Sequence, residues 1–441
     1  MSNENISKIG LCRYSSLAVP IAFAGFPIYV LAPDFYATNY GVSLGLLGLL
    51  LLALRVFDAV QDPLIGAFSD RYSKYTGRVM GISAFILPIA IYALFNVMFI
   101  SAAVWFSICI AIAVTAYSVL SINLNTLGGL WTKDPQAKTG ITAWRETCGL
   151  IGLVVAVSLP ALLKEYVGEE LAYLYFSLTL ALFMFIAWIM FRPWLAEHLV
   201  QTKHEQVQHG SLFSGICSTT RPTQHFFAIY ALSMLASSIP AVLVIFFVRD
   251  LLGAESLTGA FLLLYFLSGA ASMPFWKRLS DNLGKYRAWS VAMVFASLSF
   301  VWAFFLGASD FWQYAVICAV SGFALGADLS LPPSILADHI HSSRTEAHAA
   351  THFASLALLA KLSLAIASAI ALPMLSNIGF QPETQNSTEA LFGLSIAYAL
   401  IPCLLKLASA IWLYLYFIRF KQGVVYENHQ TNRYSGGIHH V

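Results

Sequence analysis

The sequence predicts an all-α integral membrane protein of twelve transmembrane helices in two pseudosymmetric six-helix bundles, and three observations carry that prediction. Hydrophobic residues make up 59% of the 441-residue chain and charged residues 10%, against an apolar content of roughly 45–50% in a soluble domain. The mean hydropathy is +0.73. Polar interruptions leave about twelve apolar stretches, each near the ~20 residues that a helix rising about 1.5 Å per residue needs to cross a bilayer. The longest internal polar break, RPWLAEHLVQTKHEQVQHGSLFSGICSTTRPTQ, falls after the sixth stretch.

In order, the stretches lie near 15–38, 43–68, 79–100, 103–130, 139–163 and 170–192, then 224–249, 257–280, 287–307, 311–337, 350–376 and 390–418. The expected organisation is a bundle over 1–192, a central loop over 193–223, a second bundle over 224–420 and a polar tail over 421–441. No cleavable signal is expected at the start, because MSNENISKIGLCRYSS is polar and the apolar run after it is long enough to span. The turns after the second, fourth and eighth helices carry Arg71, Lys74 and Arg78, then Lys133 and Lys138, then Lys277, Arg278, Lys285 and Arg287. The alternate loops hold mainly acids, such as Glu165, Glu169, Glu170, Asp310 and Glu383. By the positive-inside rule both termini and the central loop are cytoplasmic, in a bacterial-type inner membrane.

Several function classes are excluded. A net charge of +2 lacks the basic face that nucleic acid requires. There is no Walker loop, no G-x-S-x-G elbow and no H-E-x-x-H cluster, so neither an enzyme nor a cofactor is expected. Cys12, Cys109, Cys148, Cys217, Cys318 and Cys403 are scattered without a CxxC pair and read as small core residues. The expected partners are a small-molecule substrate and the lipid bilayer, with the chain a monomer.

The second stretch carries RVFDAVQDPLIGAFSDR, which sets Arg55, Asp58 and Asp62 inside an apolar span. Asp58 and Asp62 stand i, i+4 and share one helical face, with Arg55 one turn before Asp58. A charge at the bilayer centre costs roughly 3 kcal/mol or more, so such residues face a cavity and mark an ion or substrate path. Two carboxylates on one face clasp a hard cation or share a proton. The only metal expected is a sodium ion there, with a proton as the other candidate.

An internal repeat bears on what these charges do. A shift of 211 positions superposes Pro63 on Pro274, Ser69 on Ser280, Asp70 on Asp281, Lys74 on Lys285 and Tyr75 on Tyr286 (274 − 63 = 211, and likewise for the rest). The mates of Arg55, Asp58 and Asp62 are Phe266, Gly269 and Met273. The second half does without the charges, which points to function rather than architecture.

These residues carry a family resemblance. GAFSDRYSKYTGR, with Gly66, Asp70, Arg71, Gly77 and Arg78, resembles the cytoplasmic gating signature of the major facilitator superfamily, and Asp281 is its repeat copy. RVFDAVQDP resembles the second helix of the melibiose permease-like glycoside–pentoside–hexuronide:cation symporters. TAWRETCGLIG, GADLSLPPSILAD and FASLALLAKLSLA resemble their fifth, tenth and eleventh helices. The resemblance implies the major facilitator fold, with a central cavity open alternately to each side. It implies cation binding at Asp58 and Asp62, a neighbouring Lys361 that couples, and Arg145 at the sugar site. It implies symport of a small solute with sodium or a proton.

The departures leave the solute open. Acids that sugar-transporting members place in helices one and four are absent, the fourth helix reading YSVLSINLNTLGGLW with Asn123 and Asn125. Arg55, Arg145 and Lys361 face Asp58, Asp62, Asp328 and Glu146, so the cavity is near balance when empty, and cation binding favours an anionic or zwitterionic solute. Trp144 offers a ring for stacking, and Asp328 beside Gly326 is a second candidate cavity acid. A carrier of lysolipid-like amphiphiles, a proton-driven exporter and a non-transporting receptor are the alternatives, the last disfavoured by the cost of buried acids. His339, His341 and His348 are expected in the polar turn before the eleventh helix, His352 near its start, Asp34 at the interface, and His439 and His440 in an unstructured tail.

Overall fold

The computed structural model of the protein describes residues 6–199, 219–381 and 386–420. Among the described residues twelve helices cross the bundle in sequence order, and there is no strand. They are α1 (8–40, broken at 16–17 and carrying a π segment Pro27–Leu31), α2 (Leu44–Arg71), α3 (Thr76–Asn96), α4 (Ala102–Leu130), α5 (Pro135–Val167) and α6 (Glu169–Leu199). The second six are α7 (Arg221–Phe246, continued by a π segment Phe247–Leu251), α8 (Thr258–Leu283), α9 (Lys285–Phe300, ending in a 3-10 segment Val301–Phe305), α10 (Phe311–Ser342), α11 (Ala349–Asn377) and α12 (388–419). Eleven helical segments among the described residues are long and apolar enough to cross a membrane. α2, with Arg55, Asp58 and Asp62 in its length, is the helix outside that set.

Local sequence explains the ends. Ser43 Oγ accepts from Leu46 N at 3.4 Å to start α2, and Asp134 Oδ1 accepts from Gln136 N at 3.1 Å to start α5, whose first residue is Pro135. Gly284 turns the chain between α8 and α9 at φ 87°, a left-handed angle that favours glycine. Prolines sit inside α2, α3, α5, α6, α7, α8, α10 and α11, as membrane helices tolerate where neighbours supply partners.

Buried apolar side chains form one cluster within 14–195 and two within 226–417, so each six-helix half has its own interior, and two small clusters, Ile122 with Ala350 and Ala354 and Leu150 with Ala143 and Met273, span the halves. The halves meet where α2 and α4 pack on α11 and where α5 packs on α8 and α10. Gly66 makes the first contact close: a Cβ there would lie 2.7 Å from Ala354 Cβ and 2.8 Å from Ala350 O. On the opposite face of α2, Leu49, Leu52, Val56 and Val60 are exposed, the lipid side of an amphipathic span. That rotation turns Asp58 and Asp62 inward.

The helices outrun the hydropathy minima. α1 starts at Lys8, α5 at Pro135, and α10 runs to Ser342, because backbone pairing continues past the apolar part of a span. His339 and His341 therefore lie in α10, not in the turn before α11. His339 is buried, with Nε2 2.8 Å from Tyr286 Oη, and His341 Nδ1 is 2.9 Å from Glu346 Oε1. Residues 200–218 of the expected central loop, with Cys217, and the tail with His439 and His440 fall outside the described residues.

Candidate functional site

α2 contributes the two carboxylates, sealed at 2% exposure for Asp58 and 0% for Asp62. α11 brings Lys361 to them from the other half. Lys361 Nζ donates to Asp58 Oδ1 at 2.8 Å and to Ser118 Oγ of α4 at 3.0 Å. It also lies 2.7 Å from Asp62 Oδ2, an ion pair without hydrogen-bond geometry. Asp58 Oδ1 is crowded: Ser118 Oγ and Gln61 Nε2 each donate to it at 3.1 Å. Thr115 Oγ1 donates to Gln61 Oε1 at 2.8 Å and so orients that amide. Asp62 Oδ1, by contrast, has no hydrogen-bond donor among the described residues. A buried carboxylate oxygen in that condition is an acceptor available to a cation.

Ser118, Gln61 and Thr115 were not singled out by sequence reasoning. Gln61, three residues after Asp58, carried a helical-spacing signal; Ser118 and Thr115 carried none, since their place depends on how α4 rotates against α2. Arg55 is half-buried on α2.

A second group forms around Arg145 of α5, which is buried. Its guanidinium donates through Nη1 to Asn125 Oδ1 of α4 and through Nη2 to Glu146 Oε1. Asn125 Nδ2 donates back to Ser121 O at 2.9 Å. Asn123 turns its amide to its own helix, Nδ2 to Val119 O at 2.8 Å, and is buried. Trp144 is half-exposed beside Arg145.

Asp328 belongs to neither group. Its Oδ1 accepts from Trp289 Nε1 of α9 at 3.0 Å, and its Oδ2 accepts from Lys406 Nζ of α12 at 2.6 Å. Lys406 is the residue that the charge count in the sequence missed, although a lysine inside IPCLLKLASAIWL was a signal. With it, four cations (Arg55, Arg145, Lys361, Lys406) stand against four acids (Asp58, Asp62, Asp328, Glu146).

The residues of the turn signature and its repeat copy gather at the end of the bundle that carries the α2–α3 and α8–α9 turns, here the turn end. Asp70 caps α11 across the halves: Ala350 N donates to Oδ1 at 2.8 Å, and Thr351 N and Oγ1 donate to Oδ2 at 2.9 and 2.6 Å. The backbone amides at a helix N-terminus carry partial positive charge, which suits a carboxylate. Arg71 and Arg78 are exposed, with guanidinium carbons 5.8 Å from the ring centres of Tyr72 and Tyr75; Gly77 is in the first turn of α3. Asp281 accepts from Lys277 within its own helix. A second contact between the halves lies at this end: Lys138 Nζ of α5 donates to Ala337 O at 3.0 Å and pairs with Asp338 Oδ1 at 3.3 Å, while Thr139 Oγ1 and Ser334 Oγ are 3.0 Å apart.

The profile of the MFS/sugar transport protein family matches residues 13–419. The chain is 23% identical to the uncharacterized symporter YnaJ of Bacillus subtilis, over 93% of this chain and 92% of that one. It is 22% identical to the glucuronide carrier protein homolog of Escherichia coli, over 96% of each. Among solved structures, a bacterial homologue of the iron transporter ferroportin in an outward-facing state superposes with a TM-score of 0.65 at 16% identity, over 92% of this chain and 100% of that one, which is a likeness of fold. The chain belongs to the MFS/sugar transport protein family and is a membrane transporter of the major facilitator fold.

Proposed function

We propose that the protein is a cation-coupled symporter that moves a small polar, anionic solute by alternating access. The observation that carries this reading is Lys361, which reaches from α11 in one half to Asp58 and Asp62 of α2 in the other, at 2.8 and 2.7 Å. Removing one partner of a buried ion pair costs about 3–5 kcal/mol, so the two carboxylates do not stand empty and unopposed. Lys361 supplies their counter-charge until a sodium ion or proton replaces it. The arriving cation is held by Asp62 Oδ1, by the Asp58 carboxylate and by Ser118 Oγ. It releases the charge that ties α11 to Asp58 and Asp62. Occupancy thereby alters the contact between the halves, and a ligand shifts a conformational equilibrium by its differential affinity for the two states.

Charge bookkeeping supports an anionic solute. Four cations against four acids leave the empty site neutral, one bound monovalent cation makes it positive, and one solute acid restores neutrality. Arg145 offers the planar fork that matches carboxylate or sulfate, with Glu146 as the acid to be displaced, Asn125 as the second partner and Trp144 as a stacking face. The glucuronide carrier homolog is named for a sugar acid. In this reading the turn end faces the cytoplasm, as the Lys and Arg residues of its short turns favour, and the two halves over 1–192 and 224–420 rock about the site.

The test is uptake into proteoliposomes under an imposed sodium or proton gradient, with matched neutral and acidic glycosides. Gradient-driven accumulation of the acidic solute, lost in Asp62→Asn, supports the reading. Equal accumulation without a gradient overturns it.

A further inference from the structure

We propose that the Lys406–Asp328 pair is an anchor that holds α10 at a proline break, so that the segment beyond Pro333 opens the turn end while the segment before it stays fixed. This rests on the alternating-access reading and adds to it the place where α10 bends.

The pair is enclosed and complete. Lys406 Nζ donates to Asp328 Oδ2 at 2.6 Å, to Ser237 Oγ at 2.9 Å and to Ser233 O at 3.4 Å, so each ammonium hydrogen has an acceptor. Asp328 Oδ1 is held by Trp289. Four helices of one half, α7, α9, α10 and α12, meet at this point. Lys406 is 5% exposed. Apolar side chains of similar volume would hold four helices together at least as firmly as a buried ion pair. What the charges add is direction and register, since each hydrogen bond fixes one atom of Asp328.

The break lies one turn further on. Pro332 and Pro333 have no N–H, so the carbonyls of Asp328 and Leu329, four residues before them, lose their helical donors. The residue whose backbone is released is thus the residue whose side chain is pinned. Before the break, α10 is locked to α8: a Cβ on Gly326 would lie 2.8 Å from Gly269 O. After the break, the contacts of α10 with α5 are those that close the turn end, and Lys285 and Tyr286 at the start of α9 and Thr223 at the start of α7 hold the same segment from its own half. Ser334 meets Thr139, Ala337 O meets Lys138, and Asp338 is shared between Lys138 of α5 and Lys285 of α9. To open that end, 334–342 must leave α5. A helix lacking two consecutive hydrogen bonds bends there at low cost, provided the part above does not follow. The Lys406–Asp328 pair prevents it from following. The role is positioning: Asp328 acts through α10 and not on the solute.

The experiment measures solute uptake by the full chain in proteoliposomes, as maximal rate and KM. Wild type comes first: if it shows no cation-driven uptake, the symport reading fails and the anchor is not at issue. Given wild-type uptake, Asp328→Asn combined with Lys406→Met, which leaves no unpaired charge, is expected to lower the maximal rate about tenfold with KM within about twofold. Pro332→Ala combined with Pro333→Ala keeps the pair and restores two backbone donors inside the helix; it is expected to show the same signature. A KM raised with the maximal rate unchanged would make Asp328 a solute ligand and overturn the proposal. So would wild-type kinetics in the proline variant.

Discussion

The α2–α11 contact and its repeat mate, the α8–α5 contact, are built on one plan and carry opposite contents. With the shift of 211, Arg55, Asp58 and Asp62 of α2 fall on Phe266, Gly269 and Met273 of α8, Arg145 of α5 on Leu356 of α11 (145 + 211 = 356), and Lys361 of α11 on Leu150 of α5 (361 − 211 = 150). Each charge of the candidate site thus has an uncharged mate. Even the small residue changes sides: Gly66 packs on Thr351 of α11, while its mate Lys277 lies over Gly140, the mate of Thr351 (140 + 211 = 351). Ser69, Asp70, Lys74 and Tyr75 of the turn recur as Ser280, Asp281, Lys285 and Tyr286, yet Asp70 caps the opposite half and Asp281 stays with Lys277. What repeats is the joint; what does not repeat is the chemistry.

The strongest way to break this comparison is to make α2 resemble α8. Asp58→Gly combined with Asp62→Met is expected to give a folded, membrane-inserted protein, because α8 buries Gly269 and Met273 at the equivalent places. Cation-driven accumulation should fall by at least about 100-fold, since the acids are kept at a cost only function explains. Uptake at the wild-type level would show that the carboxylates are architectural after all.

Next in size is Arg145→Gln, which moves α5 towards the Leu356 side of the repeat. Losing a bidentate charge-assisted contact of about 1.5–3 kcal/mol should weaken an acidic solute about 10- to 100-fold and leave a matched neutral one nearly unchanged. Binding of both solutes by thermal shift, with and without sodium, measures the difference. Equal weakening of the two would mean that the fork serves Glu146 and Asn125 alone.

A smaller effect separates the two turn copies. Asp70→Asn replaces an acceptor that takes three hydrogen bonds from the start of α11 and is expected to cost about 1.5–3 kcal/mol. Asp281→Asn breaks a pair whose lysine is 39% exposed, worth about 0–1 kcal/mol. Denaturation midpoints of the two variants should therefore differ, Asp70→Asn being the lower. Equal midpoints would make the cross-half cap and the within-helix pair equivalent.

The sequence displays the spans, because a lipid environment forces about twenty apolar residues wherever a helix crosses. It displays the shared face of Asp58 and Asp62, because i, i+4 spacing is a property of one helix. It hides whatever depends on the rotation of two helices against each other. Lys406 and Asp328 are far apart in the chain, and nothing local in IPCLLKLASAIWL names its partner. Asp328 accordingly reads as a cavity acid until Lys406 and Trp289 are seen to hold it. Ser118 is one hydroxyl among many on an apolar helix, and its hydrogen bonds with Asp58 and Lys361 are what distinguish it. His339 and His341 are misjudged for another reason: hydropathy ends where α10's apolar face ends, a full turn before its backbone does.

The finest distinction lies in the two small-residue contacts. A Cβ on Gly66 would meet the α11 backbone, at 2.8 Å from Ala350 O and 2.9 Å from Thr351 Cα, and neither atom can move without moving the helix. A Cβ on Gly140 would meet only Lys277 Cε, at 3.4 Å, an ordinary contact with a flexible side chain. Alanine favours a helix over glycine by about 1 kcal/mol, and overpacking a tight contact costs about 1–3 kcal/mol. Gly66→Ala is therefore expected to be neutral to destabilising by up to about 2 kcal/mol, and to weaken closure of the turn end along with the Asp70 cap. Gly140→Ala keeps the propensity gain with little to offset it and should stabilise by up to about 1 kcal/mol. Thermal unfolding of the two variants in one detergent gives the sign of each. If Gly66→Ala proved the more stable, α2 and α11 would not be in the close register from which Lys361 reaches the two carboxylates.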